Sequence, residues 1–292
     1  MDGTPSAGAS HTQSRLRVQA AMLSHRGCVR EENEDRVLYS VPDEGSPDAA
    51  QGALALVADG MGGHAVGEVA SSIAAQTVHY LYYRHARPAP EALREAFAAA
   101  NHAIHERGRS DPACAGMGTT CTAVAIRDDH IWLGHVGDSR AYLIRKRKLF
   151  RISEDHSLVA ELVRRGTLSE SEARSFPDRN VILRALGIKG EVEPVVWHEG
   201  LPAKAGDVLV LCSDGLSDVL EDEKIRDLTV DRPPFEACQA LLDAALKANA
   251  SDNVSVGVIA LSRDGPEGTT EIAKPDRATQ ETIVPSSLRG QS

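Results

Sequence analysis

No apolar run in the chain approaches the roughly 18–20 residues that a membrane-crossing helix needs. The first fifteen residues, MDGTPSAGASHTQSR, also lack the apolar stretch of a signal peptide. The expectation is a soluble, cytoplasmic protein with no membrane insertion. The five cysteines, at positions 28, 114, 121, 212 and 238, are odd in number and form no C-x-x-C pair. Neither a disulfide framework nor a thiolate zinc site is indicated, and a reducing compartment is expected. A basic surface is missing as well: 42 acidic residues outweigh 32 basic ones, and the longest Lys/Arg run is RKRK at 145–148. That balance argues against nucleic acid or an anionic membrane as partner and suits a protein that gathers cations. No internal repeat occurs at a fixed period.

Apolar residues make up 42% of the 292, enough to bury a substantial core, and one large domain is expected. Residues 1–15 are small, polar and aperiodic, and the stretch from 264 to 292 is poor in core-forming residues; both read as disordered, leaving a folded unit over 16–263. Short apolar or alternating runs at 16–23, 36–41, 53–59, 119–128, 131–138, 140–153, 207–214 and 255–262 read as strands. Helical patterns at 66–84 and 90–108 form one consecutive pair, and patterns at 157–166 and 234–248 form another. Such grouping departs from strict βαβ alternation, so an α+β protein of antiparallel sheets is expected.

Aspartates recur where the predicted strands stop. Asp59 ends ALVAD, Asp138 follows GHVG, Asp214 follows VLCS, and Asp252 precedes the last strand; Arg30, Glu34 and Asp35 sit in VREENED just ahead of another strand. Any one Asp-Gly reads as an ordinary turn, because the Asp side chain caps the local backbone. Three carboxylates fixed at the ends of buried strands are different. They repel unless hard cations lie between them, and an all-oxygen donor set selects Mg²⁺ or Mn²⁺ over Zn²⁺. Gly60 leaves its backbone carbonyl open to close approach, since no side chain intervenes. Arg30 reads either as a planar fork for phosphate oxygens or as a surface ion pair with an acidic neighbour. Gly60, Gly62 and Ala65 also satisfy G-x-G-x-x-A, but no acid lies between Val69 and Pro90 to meet a ribose, so a dinucleotide site is discarded.

The blocks VREENED, ADGMGGHAVGEVAS, GMGTTCTAV, HVGDSRAYL, ISEDHSL, NVILRALG, LVLCSDGLSD and SDNVSV occur in an order that resembles the metal-dependent PP2C (PPM) serine/threonine phosphatases, most closely the bacterial branch that opposes Ser/Thr kinases. The resemblance covers residues 17–262. It implies a four-layer α-β-β-α sandwich, with two central, mainly antiparallel sheets flanked by helix pairs and a metal centre at one end. It further implies hydrolysis of phosphoserine and phosphothreonine on proteins by a metal-bridging hydroxide held by two Mn²⁺ or Mg²⁺ ions. Carried over by similarity, Asp59 would bridge the ions, the Gly60 carbonyl would bind one, and Asp214 and Asp252 the other. Glu34 and Asp35 would hold metal-bound waters. Asp138 with Asp214 would form a third ion site, aided by Ser175. Arg30 would bind the phosphate.

Eukaryotic members carry His directly after the Asp-Gly, where this chain has Met61. The general acid is therefore open between His64, a metal-bound water and a residue elsewhere, and His64 reads equally as a helix-start packing residue. Residues 155–187 resemble the flap beside the family's active site. Implied partners are phosphorylated proteins, with a cognate Ser/Thr kinase and its targets among them, met by a monomer. Two other readings stay in view: a catalytically silent module of the same fold, against which Asp59, Asp214 and Asp252 are all present, and a phosphatase of an anti-sigma-factor antagonist. Thr270 and Thr282 in the tail, each close to an acid and an aliphatic residue, are candidate phosphorylation sites.

Overall fold

A computed structural model of the chain describes residues 16–62, 65–84 and 86–263. Strands run over Arg17–His25 (β1), Arg36–Ser40 (β2), Ala53–Ala58 (β3), Gly60–Met61 (β4), Gly118–Thr119 (β5), Cys121–Arg127 (β6), His130–Val136 (β7), Arg140–Arg145 (β8), Lys148–Arg151 (β9), Val195–Val196 (β10), Leu201–Pro202 (β11), Val208–Cys212 (β12) and Val254–Ser262 (β13). Helices cover Ala65–Arg84 (α1), Ala89–Ser110 (α2), Leu158–Arg164 (α3), Glu170–Arg174 (α4), Asp214–Ser217 (α5), Asp222–Thr229 (α6) and Pro234–Lys247 (α7). One sheet has the order β1-β13-β12-β8-β9 and the other β10-β7-β6-β3-β2, with β11 also on β7 and β4-β5 forming a small ribbon. All of these strands pair antiparallel.

Strand periodicity explains the layering. In β3, Leu54, Leu56 and Ala58 join a cluster with α1 and α2, while Ala53, Ala55 and Val57 face the other sheet. In β12, Val210 and Cys212 pack with α5, α6 and α7, and Leu209 and Leu211 face inward. Strands covered on both faces lose the apolar/polar alternation and read as unbroken apolar runs. Both helical layers meet the sheets through stripes at helical spacing, such as Ala70, Ala74, Val78 and Tyr82 on α1 and Cys238, Leu241 and Ala245 on α7. The result is the expected α-β-β-α sandwich.

Two expectations about elements change. The run at 140–153 is two strands, because Lys146 and Arg147 take φ of 51° and 62° and close a two-residue hairpin. The partner of α7 is α6, whereas α3 packs with α4 in the segment 155–187. No helix among the described residues is long and apolar enough to cross a membrane.

Register then decides which loops meet. His25 pairs with Val254, Cys212 with both Val256 and Arg140, Arg36 with Ala58, and Val136 with Cys121. Each of these pairs sits where a strand meets a loop carrying Arg30, Glu34, Asp35, Asp59, Asp138, Asp214 or Asp252. Chain order scatters these residues; antiparallel pairing gathers them at one end of the sandwich.

Candidate active site

At the end of β3 the backbone of Asp59 is held on both sides. Its N–H donates to Thr120 Oγ1 at 3.0 Å, and its carbonyl accepts from Thr119 Oγ1 at 2.8 Å and Thr120 N at 2.9 Å. Gly60 follows in β4, where a Cβ would stand 2.1 Å from the Gly67 carbonyl oxygen and 2.7 Å from that of Glu34. The close contact that requires glycine is thus with α1 and the loop before β2. On the other sheet, a Cβ at Gly215 would stand 2.0 Å from the Asn253 carbonyl oxygen, so glycine is what lets α5 close onto the loop before β13.

Asn253 locks the acidic loop in place. Its Oδ1 accepts from Glu34 N at 2.8 Å, while its Nδ2 donates to Arg26 O at 3.0 Å and Glu32 O at 2.9 Å. Ser71 Oγ donates to Glu34 O at 2.5 Å, and Ser213 Oγ donates to Asp35 Oδ2 at 2.8 Å. Asp35 is 1% exposed, and Glu34 and Asp138 are also buried. Asp59, Asp214 and Asp252 keep part of their surface open.

Electrostatics binds the acids into one group. Burial, followed by the charges of Asp35, Asp214 and Asp138, pushes Asp59 well above the usual carboxylate range. Asp214 is pushed the same way by burial and by Asp138, Asp218 and Asp252. Burial raises Asp35 to about 6, against the opposing pull of its serine hydrogen bonds, and burial with Asp155 raises Asp138 to about 7. Glu34 is also raised, chiefly by burial. Among the described residues, the buried oxygens Glu34 Oε1, Asp35 Oδ1, Asp138 Oδ1 and Asp214 Oδ1 have no hydrogen-bond partner. No group of three or more His, Cys, Asp or Glu side chains there is already gathered tightly enough to hold an ion. The carboxylates raise one another's pKa, as like charges do at short range. Buried, unpaired and oxygen-only, they fit hard divalent cations, which would meet each of those demands.

Arg30 is half exposed and donates through a terminal guanidinium nitrogen to Asp252 Oδ2 at 2.8 Å, so its acidic neighbour is one of the candidate ligands. Ser175 does not join the acids: it is exposed and its hydroxyl donates to Glu172 O in its own helix. His64, Thr270 and Thr282 lie outside the described residues.

Residues passed over in the sequence also contribute. Asn253, Ser213, Thr119 and Thr120 position the acids through contacts between distant segments, which leave no local signature. Asp218 lies in the quoted SDGLSD block and joins the acidic group, raised by burial. A cleft of about 620 Å³ runs from Asp138, Asp214 and Asp218 to Val163, Arg174 and Arg179 of the segment 155–187. A second hollow of about 490 Å³ sits away from the acids, between the β8–β9 turn and the end of α6.

A family model described as protein phosphatase 2C matches residues 32–252. The serine/threonine protein phosphatase PstP of Mycobacterium tuberculosis is 39% identical over 246 residues, which are 83% of this chain and 45% of PstP. The chain therefore spans less than half the length of that relative. Protein phosphatase PhpP of Streptococcus pneumoniae is 33% identical over 255 residues, covering 86% of this chain and 100% of PhpP. The solved catalytic domain of PstP in complex with two manganese ions superimposes with a TM-score of 0.75 at 37% identity, over 85% of this chain and 100% of that one. By the span of the family match, and by a fold shared with the solved relative, the chain belongs to the protein phosphatase 2C family.

Proposed function

We propose that this chain hydrolyses phosphoserine and phosphothreonine on proteins, using Mn²⁺ or Mg²⁺, as a monomer in the cytoplasm that opposes a Ser/Thr kinase. The observation that carries this is the set of facing carboxylates Asp35, Asp59, Asp138 and Asp214, raised in pKa and with unpartnered oxygens on Asp35, Asp138 and Asp214. The unit responsible is 16–263, with 155–187 as the flap over the cleft.

In this reading Asp59, the Gly60 carbonyl, Asp214 and Asp252 hold two cations, Glu34 and Asp35 orient water beside them, and Asp138 with Asp214 serves a third ion. Bound divalent cations supply a water acidified enough to attack phosphorus near neutral pH, and they offset the charge of the phosphate. The chain does the rest. Arg30, already aimed at the acidic group through Asp252, presents a permanent charge with two parallel donors to the phosphate oxygens. The buried Asp35, held through one oxygen by Ser213, keeps its other oxygen free to take a proton. A departing serine or threonine alkoxide is a poor leaving group, and His64 is the side chain suited to protonate it at neutral pH. The partial match to PstP leaves the natural substrates to the cleft and flap of this chain.

Hydrolysis of a phosphothreonine peptide by wild type and Asp214→Asn, with Mn²⁺, with Mg²⁺ and with chelator, tests the reading. Wild type is expected to need either metal, and the variant to lose more than about 100-fold, beyond the cost of removing a residue that merely supports a ligand. A folded wild type that stays silent with every metal would overturn the reading in favour of a binding module.

A further inference from the structure

The loop that carries Asp138 is gripped on both sides by the first residues of the segment 155–187 and those just before it. His135 Nε2 donates to Glu154 O at 2.9 Å, and Ala141 N donates to Ser153 Oγ at 2.9 Å. Arg140 makes a bidentate pair with Asp155, from Nε to Oδ1 at 3.2 Å and from a terminal nitrogen to Oδ2 at 2.7 Å, and Asp155 is almost fully buried. Between these contacts, residue 156 grips a single residue, Gly137, through both its backbone groups. His156 N donates to Gly137 O at 2.8 Å, and Gly137 N donates back to His156 Nδ1 at 3.1 Å.

Gly137 cannot yield from behind. At φ 111°, a Cβ there would lie 2.5 Å from Thr120, whose hydroxyl bonds Ser139 Oγ at 2.7 Å. Residues 135, 137, 139, 140 and 141 are thus all tied to neighbours, while Asp138 Oδ1 points into the site unpartnered. A brace that secures every flank of a carboxylate and spares the carboxylate itself is the arrangement expected for orienting a ligand.

Resting on the reading of Asp138 as a cation ligand, we propose that His156 is a positioning residue: through its two bonds to Gly137 it sets the direction of the Asp138 carboxylate and links that carboxylate to the root of the flap. The acceptor at Nδ1 requires the proton to sit on Nε2. Burial, with His135 and Arg184 nearby, holds His156 down at about 4, so the ring is neutral and able to accept at neutral pH. The link to the flap is direct, because His156 O also accepts from Leu183 N at 2.7 Å on the returning stretch of that segment, and Leu158 N donates to Val181 O at 2.8 Å. A shift of the flap is therefore passed to residue 156, and from there to Gly137 and Asp138.

Two variants separate direction from bulk. His156→Asn places an amide oxygen where Nδ1 stood and keeps the bond from Gly137 N; His156→Phe keeps the ring volume and loses the acceptor. Binding of Mn²⁺ is followed by calorimetry without substrate, and kcat and KM are measured on a phosphothreonine peptide over a Mn²⁺ series. Melting of the chelated proteins shows that each variant is folded.

In His156→Phe the weakest Mn²⁺-binding step is expected to weaken about 10- to 100-fold, the range for residues that orient a ligand. Its kcat should fall at limiting Mn²⁺ and recover at high Mn²⁺, with KM little changed. His156→Asn should stay within about threefold of wild type on the same scale. Unaltered Mn²⁺ binding in folded His156→Phe would overturn the proposal, and so would equal losses in two folded variants, which would make the role one of packing. Should wild type itself bind no Mn²⁺, it is the metal reading of the acids that fails.

Discussion

A carboxylate whose pKa is raised by folding binds protons more tightly in the native state than in the unfolded one. Stability then falls as pH rises from the unfolded pKa, about 4, through the folded value. Asp35 near 6 and Asp138 near 7 place the window at about pH 4–7, and Asp59 and Asp214, raised well above their usual range, extend it upward. Each pKa unit is worth about 1.4 kcal/mol, and each kcal/mol about 2–4 °C of melting temperature for a domain of this size. In chelator, the melting temperature is therefore expected to drop by several degrees between pH 5.5 and pH 8. Saturating Mn²⁺ should flatten that slope, because a cation does at high pH what protons do at low pH. Calorimetric melts across this range check it, and a chelated protein that gains stability toward pH 8 would contradict the picture of four acids crowded without a counter-charge.

Along the strands, the position of an aspartate determines its work. Asp207 precedes β12 at the pole opposite the active site, where Val208 pairs with Ile144 and Ala260. It is 1% exposed and takes a bidentate pair from Arg145, at 2.8 and 2.6 Å, while Lys204 N donates to it at 2.7 Å. Breaking a buried pair from one side costs about 3–5 kcal/mol, which is roughly 10 °C at the conversion above. Asp207→Ala should melt earlier by that amount and keep the kcat of the folded enzyme, the reverse of what Asp214→Asn does. From sequence, GDVLV and VLCSDG look alike as acids beside apolar runs. Only pairing tells that one faces an arginine and the other faces acids. Legible elements are those with a period to read, namely the apolar strands and the long helices α1, α2 and α7. The four-residue α5 is too short to show one, α6 carries its period over only eight mostly polar residues, and the β8–β9 turn uses Lys-Arg where Gly or Asn would have marked the break. Of the site, the acids showed because apolar runs stop at them. Asn253, bonded to Glu34 from 219 positions away, and His156, bonded to Gly137, could not show, since nothing local requires them.

The whole sandwich has its acids split between the two sheets. Asp59 follows a strand of one, Asp214 and Asp252 flank strands of the other, and Asp138 lies where the chain crosses from β7 to β8. Between the sheets lies an apolar layer that includes Val57, Leu133, Leu143 and Leu211, a contact with no directional bonds, and at the far pole Arg145 of β8 donates to the Pro202 carbonyl of β11 at 2.7 Å. A cation shared by Asp59 and Asp214 would join the sheets at the end where burial and repulsion now oppose each other. Ligand binding to the native state alone adds about 2.7 kcal/mol at a hundred times the Kd, or about 5–10 °C for a domain of this size. Raising Mn²⁺ from zero to that level at pH 8 should lift the melting temperature by this amount in wild type. Asp59→Asn should remove the lift while raising the melting point in chelator, because one member of a mutually repelling group has been neutralised. A shift of equal size in wild type and Asp59→Asn would mean that the cation stabilises the fold from somewhere else, and the acids at the strand ends would need another explanation.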